Sequence, residues 1–168
     1  MTTNLVERPV LGSMVLSRLP RNPQPRAAWV GRIQVSKNAP EQARHETEWF
    51  LQRCRNTDPD LIATAVLIIS ELVTNAYLAM TEYDSLAGQA PRGLIVFSLR
   101  IFDSRLLIEV TDTSPKVPIL DPPRDGCAEN GRGLGIVEAV SDDWGFFFHR
   151  GQKVVFVILP IETDAEAC

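Results

Sequence analysis

The sequence predicts a two-layer α/β (α+β) sandwich, with a mostly antiparallel sheet and helices on one face. Three observations predict it. Two helical patterns follow one another at about 40–55 and 59–80. Four strand patterns pair off as neighbours around tight turns at Asp103-Ser104 and Arg150-Gly151. One short helical stretch separates those two hairpins. Runs of helix followed by adjacent hairpins favour an antiparallel sheet covered on one side over a strictly alternating parallel one. The other face of the sheet is expected to be partly open.

The elements are justified in chain order. Residues 1–27 hold Pro9, Pro20, Pro23 and Pro25 with four arginines, which predicts a poorly ordered N-terminal arm, with a short strand at 10–16. The domain is expected over 28–160, and 161–168 is a polar tail. Trp29–Val35 alternates: Trp29, Gly31, Ile33 and Val35 share a face opposite Arg32 and Gln34. Pro40 opens a helix to about Arg55, with Ala43, Thr47, Phe50, Leu51 and Cys54 at helical spacing. Asp58-Pro59-Asp60 is a start signal, combining a capping Asp, a proline in the first turn and an acid near the positive end of the helix dipole. The helix it opens is expected to end near Met80. Between Leu61 and Met80 its single charge is Glu71, so burial over most of its circumference is expected. A polar connection over 81–92 follows. Gly93–Phe102 and Arg105–Thr111 alternate as the strands of a hairpin. Residues 112–131 carry Pro115, Pro118, Pro122 and Pro123, and an irregular segment of that length in a small domain reads as a functional loop. A short helix over Gly133–Val140 opens out of glycines. Trp144–His149 and Lys153–Leu159 complete the sheet.

Composition narrows the function. The 168 residues are 45% apolar and 23% charged, as in one ordinary globular domain. With 17 basic and 21 acidic residues the net charge is −4, which argues against a phosphate-backbone binder and predicts no direct nucleic-acid partner. Cys54, Cys127 and Cys168 form no CxxC pair, so neither a disulfide scaffold nor a structural zinc site is expected. No signal peptide is visible, and a reducing cytoplasm is the expected location. Leu61–Met80 is long enough to raise the membrane question. Glu71 and Asn75 in its middle argue for a soluble core helix and against a membrane partner.

Three clusters could carry chemistry. Glu71 and Asn75, four apart, lie one above the other on a helix face. They read either as a polar pair bonding across the core, or as a carboxylate that can deprotonate a hydroxyl beside a hard carbonyl oxygen suited to Mg²⁺. Asp112 ends an apolar strand, followed by Thr113 and Ser114; alone it reads equally as a turn starter. Gly131-Arg132-Gly133-Leu134-Gly135 opens a helix. Backbone N–H groups and the positive dipole end there can cradle phosphate, or the glycines are a structural turn. The stretch is neither a Walker loop nor a dinucleotide fingerprint.

Taken together, Glu71-Leu-Val-Thr-Asn75-Ala, then Val110-Thr-Asp112-Thr-Ser114-Pro115, then Gly131-Arg-Gly133-Leu-Gly-Ile-Val resembles the ATP-binding domain shared by anti-sigma serine kinases, sensor histidine kinases, gyrase and a heat-shock chaperone, with its N, G1 and G2 boxes in order. The nearest likeness is to the small stand-alone bacterial anti-sigma regulatory serine/threonine kinases, and it spans about Trp29–Pro160. The resemblance implies a Bergerat-type ATP-binding fold, with ATP and Mg²⁺ as cofactors. It implies that Asn75 holds the Mg²⁺, that Glu71 is the catalytic base, and that Asp112 accepts a hydrogen from the adenine amino group. Ser114 would belong to the same nucleotide-binding box. Gly131, Arg132, Gly133, Leu134 and Gly135 would receive the phosphates, with residues 115–130 as a lid. It further implies a sigma factor and an anti-anti-sigma-type protein as partners in transcription regulation, and leaves a homodimer open. Four positions depart from the pattern: Ala79 stands where relatives often have a polar residue, Ser114 where many have glycine, and Gln152-Lys153 where a Gly-Thr-like pair is usual. A nucleotide-gated or nucleotide-free protein-binding module is the alternative reading.

Overall fold

The computed structural model describes residues 24–55, 57–118 and 132–162, leaving aside the side chains of 132–134. Its elements are β1 (Ala27–Gln34), α1 (Ala39–Leu51), α2 (Pro59–Leu86), β2 (Leu94–Ile101), β3 (Arg105–Asp112), α3 (Arg132–Val140), β4 (Asp143–His149) and β5 (Gln152–Pro160). The strands form one sheet in the order β1-β2-β3-β5-β4, and every neighbouring pair is antiparallel. The expected strand at 10–16, most of the expected lid, Gly131, Cys127 and the end of the tail lie outside the described residues.

Turn chemistry sets the hairpins. Asp103-Ser104 joins β2 to β3, and the Phe102 amide donates to the Arg105 carbonyl at 2.8 Å. Arg150 (φ 50°) and Gly151 (φ 76°) join β4 to β5. Two consecutive positive φ angles match the right-handed twist of the flanking strands, and glycine meets the second without strain.

The helices cover one face. Ile33 of β1, Ile95, Phe97, Leu99 and Ile101 of β2, Leu106, Ile108 and Val110 of β3, and Val155, Val157 and Leu159 of β5 form one core with α1 and α2. From α1 come Ala39, Ala43, Phe50 and Leu51; from α2 come Ala65, Ile68, Ile69, Leu72, Val73, Ala76 and Met80. Spacings of three and four place each set on one stripe of its helix. Arg44 of α1 donates to the Ser70 hydroxyl of α2 at 2.9 Å. Cys54 packs at the core margin, and burial raises its thiol pKa.

Two expectations are corrected. First, α2 continues to Leu86 instead of stopping near Met80. No glycine or proline interrupts residues 81–86, and the helix ends just before Gly88, whose φ is 69°. Asp58 takes the N-cap position with its side chain unbonded to the helix, while its carbonyl accepts from the Ile62 amide at 3.0 Å. Second, α2 is not covered over most of its circumference. Leu67 and Leu78 are exposed, and an apolar composition long enough to cross a bilayer here belongs to a helix whose other side builds the core. The opposite face of the sheet is partly open, as expected: Ala28, Arg32 and Gln34 of β1 are exposed on it, while its centre is closed. Ser98 and Arg100 of β2 and Glu109 of β3 are buried there, beside an apolar cluster of Phe102, Leu107, Phe156 and Ile158. Arg100 donates to Glu109 at 2.6 Å and Ser98 donates to the same carboxylate at 2.9 Å. Burial nevertheless holds the Glu109 carboxyl above its usual pKa range, against the pull of Arg100 and the Ser98 hydrogen bond.

Candidate functional site

Strand parity places Asp112. Leu106, Ile108 and Val110 face the helices, so Asp112, two residues further on, shares that face at the end of β3. It is 1% exposed. Its Oδ1 accepts from the Ser114 amide at 2.8 Å, a local turn in which the carboxylate bonds the backbone two residues on. The Ser114 hydroxyl in turn accepts from the Lys116 amide at 3.1 Å, and Ser114 is itself buried.

Register then brings up a residue that sequence reasoning did not assign to the site. Asp112 pairs with Lys153 at the start of β5. The Lys153 ammonium stands 3.2 Å from Asp112 Oδ2 and donates to the Lys116 carbonyl at 2.7 Å. Lys153 is 3% exposed. Burial raises the Asp112 carboxyl above its usual pKa, opposed by the charge of Lys153 and by the hydrogen bonds from Ser114 and Lys153. The signal in the sequence was Lys153 at an inward position of an otherwise apolar strand. Its partner could be known only from the register.

Glu71 and Asn75 occupy one flank of α2, as their spacing predicts, but neither is buried. Glu71 is half-buried and Asn75 is exposed, because that flank points away from both the sheet and α1. Neither side chain hydrogen-bonds to any described residue. The reading of the two as a polar pair bonding across the core is thereby corrected. Continuing at helical spacing from residues 71 and 75 leads through 78 to Glu82, whose carboxylate holds the Lys116 ammonium at 2.6 Å. The flank carrying Glu71 and Asn75 therefore runs towards the segment that leaves Asp112. Glu82 and Lys116 were missed because α2 was expected to end too soon.

The glycine stretch falls at the start of α3, which begins at Arg132. Gly133 lies in its first turn, where backbone N–H groups lack intrahelical partners, and Gly135 follows two residues on. A Cβ built on Gly135 meets no atom of the described residues within 4 Å. Val137, one half-turn on, is fully buried and anchors the helix in the core. Gly131 and the side chains of Arg132 and Leu134 lie outside what is described. α2 packs against both β3 and α3, so the elements carrying the three clusters meet on the helical side of the sheet.

The donor set suits a hydrated divalent cation. Asn75 offers a hard neutral oxygen, with the Glu71 carboxylate one turn away. Mg²⁺ keeps several waters, is held by one or two protein oxygens together with substrate phosphates, and so needs no dedicated protein cage. No group of three His, Cys, Asp or Glu side chains suited to a metal occurs among the described residues.

Residues 34–158 match the family model described as the histidine kinase-like ATPase domain. That span runs from the end of β1 into β5 and takes in Glu71, Asn75, Asp112, the glycine stretch and Lys153. Among curated proteins, none matches the chain.

Proposed function

Because the chain belongs to the histidine kinase-like ATPase domain family, which points to ATP binding, we propose that it is a Mg-ATP-dependent regulatory serine/threonine protein kinase of the anti-sigma type. In this reading it holds a sigma factor and phosphorylates an antagonist protein. The observation that carries the proposal is the flank of α2: a carboxylate, Glu71, one turn from an amide, Asn75, neither hydrogen-bonded to any described residue, running towards the Asp112 segment.

The roles follow from chemistry. Asn75 holds the Mg²⁺ through its amide oxygen. When bound, the metal neutralises phosphate charge, which is most of what phosphoryl transfer asks of a protein. The backbone of the glycine stretch at the start of α3, Gly133 and Gly135 among it, receives phosphate oxygens at a helix N-terminus, Gly133 on an N–H that lacks an intrahelical partner. Asp112 accepts a hydrogen from the adenine amino group. Glu71 accepts the proton of the attacking serine or threonine hydroxyl. Binding alone needs no such base, so Glu71 is what favours a kinase over a nucleotide-binding module.

A second reading, a protein-binding module without transfer activity, draws support from Ala79 and Lys153. Ala79 is a buried methyl on α2, and Lys153 ties up one oxygen of Asp112. Thermal unfolding with ADP or ATP, with and without Mg²⁺, tests the binding step. Ligand at a hundred times its Kd stabilises the fold by about 2.7 kcal/mol. For a domain this size that moves the midpoint by about 5–11 °C. The shift is expected to depend on Mg²⁺ and to vanish in Asn75→Ala. An unchanged shift in that variant removes Asn75 as the metal ligand, and no shift at millimolar nucleotide in the parent leaves the binding-module reading.

A further inference from the structure

β3 and β5 are buried on both faces of the sheet. Every residue of β5 from Lys153 to Leu159 is buried, whichever face it points to. On the face away from the helices, Leu107 is 0% exposed, Ile158 1%, and Phe156 and Glu109 4% each. A sheet face that meets only water carries polar residues and keeps them wet. Apolar residues buried on it require a second layer. Among the described residues none supplies that layer. The helices contribute to the core on the other face, while Leu107, Phe156 and Ile158 pack with Phe102 at the end of β2 and with Phe147 of β4, in the same sheet.

Composition separates the segments that lie outside the described residues. Residues 163–168, Thr-Asp-Ala-Glu-Ala-Cys, hold no large apolar side chain. Residues 119–131 hold Ile119 and Leu120 and then a mostly polar run, and they follow the end of β3 that is far from Leu107. Residues 1–23 hold Val10, Leu11, Met14, Val15, Leu16 and Leu19. Positions 10, 12, 14 and 16 carry no polar side chain, whereas the alternate positions include Ser13 and Ser17. The attachment point agrees. The chain enters β1 where the Arg26 amide donates to the Ile101 carbonyl at 2.7 Å, and Ile101 pairs with Leu106, next to Leu107. β5 lies three strand spacings from β1, which is about 15 Å. Residues 17–23 can span up to about 25 Å when extended, so the 10–16 stretch has the reach to lie over the buried centre.

We propose that the outer face of the sheet is a docking surface for the chain's own N-terminal arm, residues 10–16 lying across β3 and β5 with Val10, Met14 and Leu16 against Leu107, Phe156 and Ile158. The arm is then the second layer that this face requires. Its cover also accounts for the burial of Arg100 and Glu109, 2.6 Å apart on a face that strand alternation would leave to solvent. The inference is independent of the nucleotide reading, whose residues lie on the helical side of the sheet.

Met14 reports the contact without any substitution. With dilute hydrogen peroxide, Met14 of the full chain is expected to form its sulfoxide about tenfold or more slowly than Met14 of a synthetic peptide of residues 1–23, a protection equivalent to about 1.4 kcal/mol of docking. Equal rates overturn the proposal. So does protection that fades on dilution, which assigns the face to a second copy of the chain. Hydroxyl-radical labelling read by mass spectrometry then tests the face itself. In Leu16→Asp, labelling of Phe102 and Phe156 is expected to rise severalfold, while Phe97, in the core on the helical side, stays protected and shows that the fold is kept. If Leu16→Asp does not fold, Leu16→Ala takes its place with the same expectation. A folded Leu16 variant that protects Phe102 and Phe156 as well as the parent does overturns the proposal and leaves another segment as the cover.

Discussion

Gly31→Ala puts a single methyl group where the sheet has no room for one. Gly31 of β1 lies directly opposite Phe97 of β2, and the Phe97 ring occupies the space where a Cβ would stand. Phe97 is fully buried, so its ring has no open side to move to. The same Cβ would come within 2.7 Å of Glu46 Oε2, the oxygen that accepts the Trp29 indole N–H at 3.1 Å. Overpacking a core by a small group costs about 1–3 kcal/mol, and loss of the Trp29–Glu46 bond adds about 0.5–1.5 kcal/mol. Removing a glycine from a strand returns about 0.5–1 kcal/mol of backbone entropy. The net cost is about 1–3 kcal/mol, which lowers the thermal midpoint by about 2–12 °C. Calorimetry together with urea unfolding measures it, and a double-mutant cycle with Phe97→Leu isolates the cause. The smaller side chain vacates space that the new methyl can fill, so the double variant should cost less than the two single changes together, by about 0.5–3 kcal/mol of coupling. Nucleotide affinity should not change, because β2 separates β1 from the Asp112 strand. A neutral or stabilising Gly31→Ala, or strictly additive costs in the cycle, would refute the steric argument.

Glu71→Ala is expected to keep nucleotide binding and lose phosphotransfer to an antagonist substrate; transfer at the parental rate, followed by phosphopeptide detection, removes Glu71 as the base. Asp112→Asn should erode the preference for ATP over GTP in competition binding, and a variant as selective as the parent argues against a base contact at that position. The two carboxyls raised by burial, Glu109 and Asp112, set the sign of a pH effect. A carboxyl whose folded pKa exceeds its unfolded one binds more protons in the folded state. These two groups therefore lower stability as pH rises through the window just above the ordinary carboxylate range. Urea unfolding across that window should show the decline, and Glu109→Gln should flatten part of it; an unchanged slope in Glu109→Gln rules out Glu109 as a source.

The secondary elements were legible in the sequence because they depend on local pattern. Period-two runs marked the strands, period-3.6 stripes marked the helices, and Asp103-Ser104 and Arg150-Gly151 marked the hairpins. The antiparallel sheet with helices on one face followed from the order of those elements. Order and spacing were also enough to pick out Glu71, Asn75, Asp112 and the glycine stretch as candidates. Tertiary structure decided what each candidate touches. Nothing local to residues 152–153 says that Lys153 faces Asp112, because strand register is fixed by pairing along the whole of β3 and β5. Composition suggested that Glu71 and Asn75 were buried, yet exposure depends on which flank of α2 the sheet and α1 leave uncovered. The same holds for Arg100 and Glu109, polar residues at alternating positions that the sequence placed on the partly open face and the fold buries against each other. Periodicity specifies which residues share a face. Only the packing of that face against the rest of the chain determines its solvent, its partners and hence its chemistry.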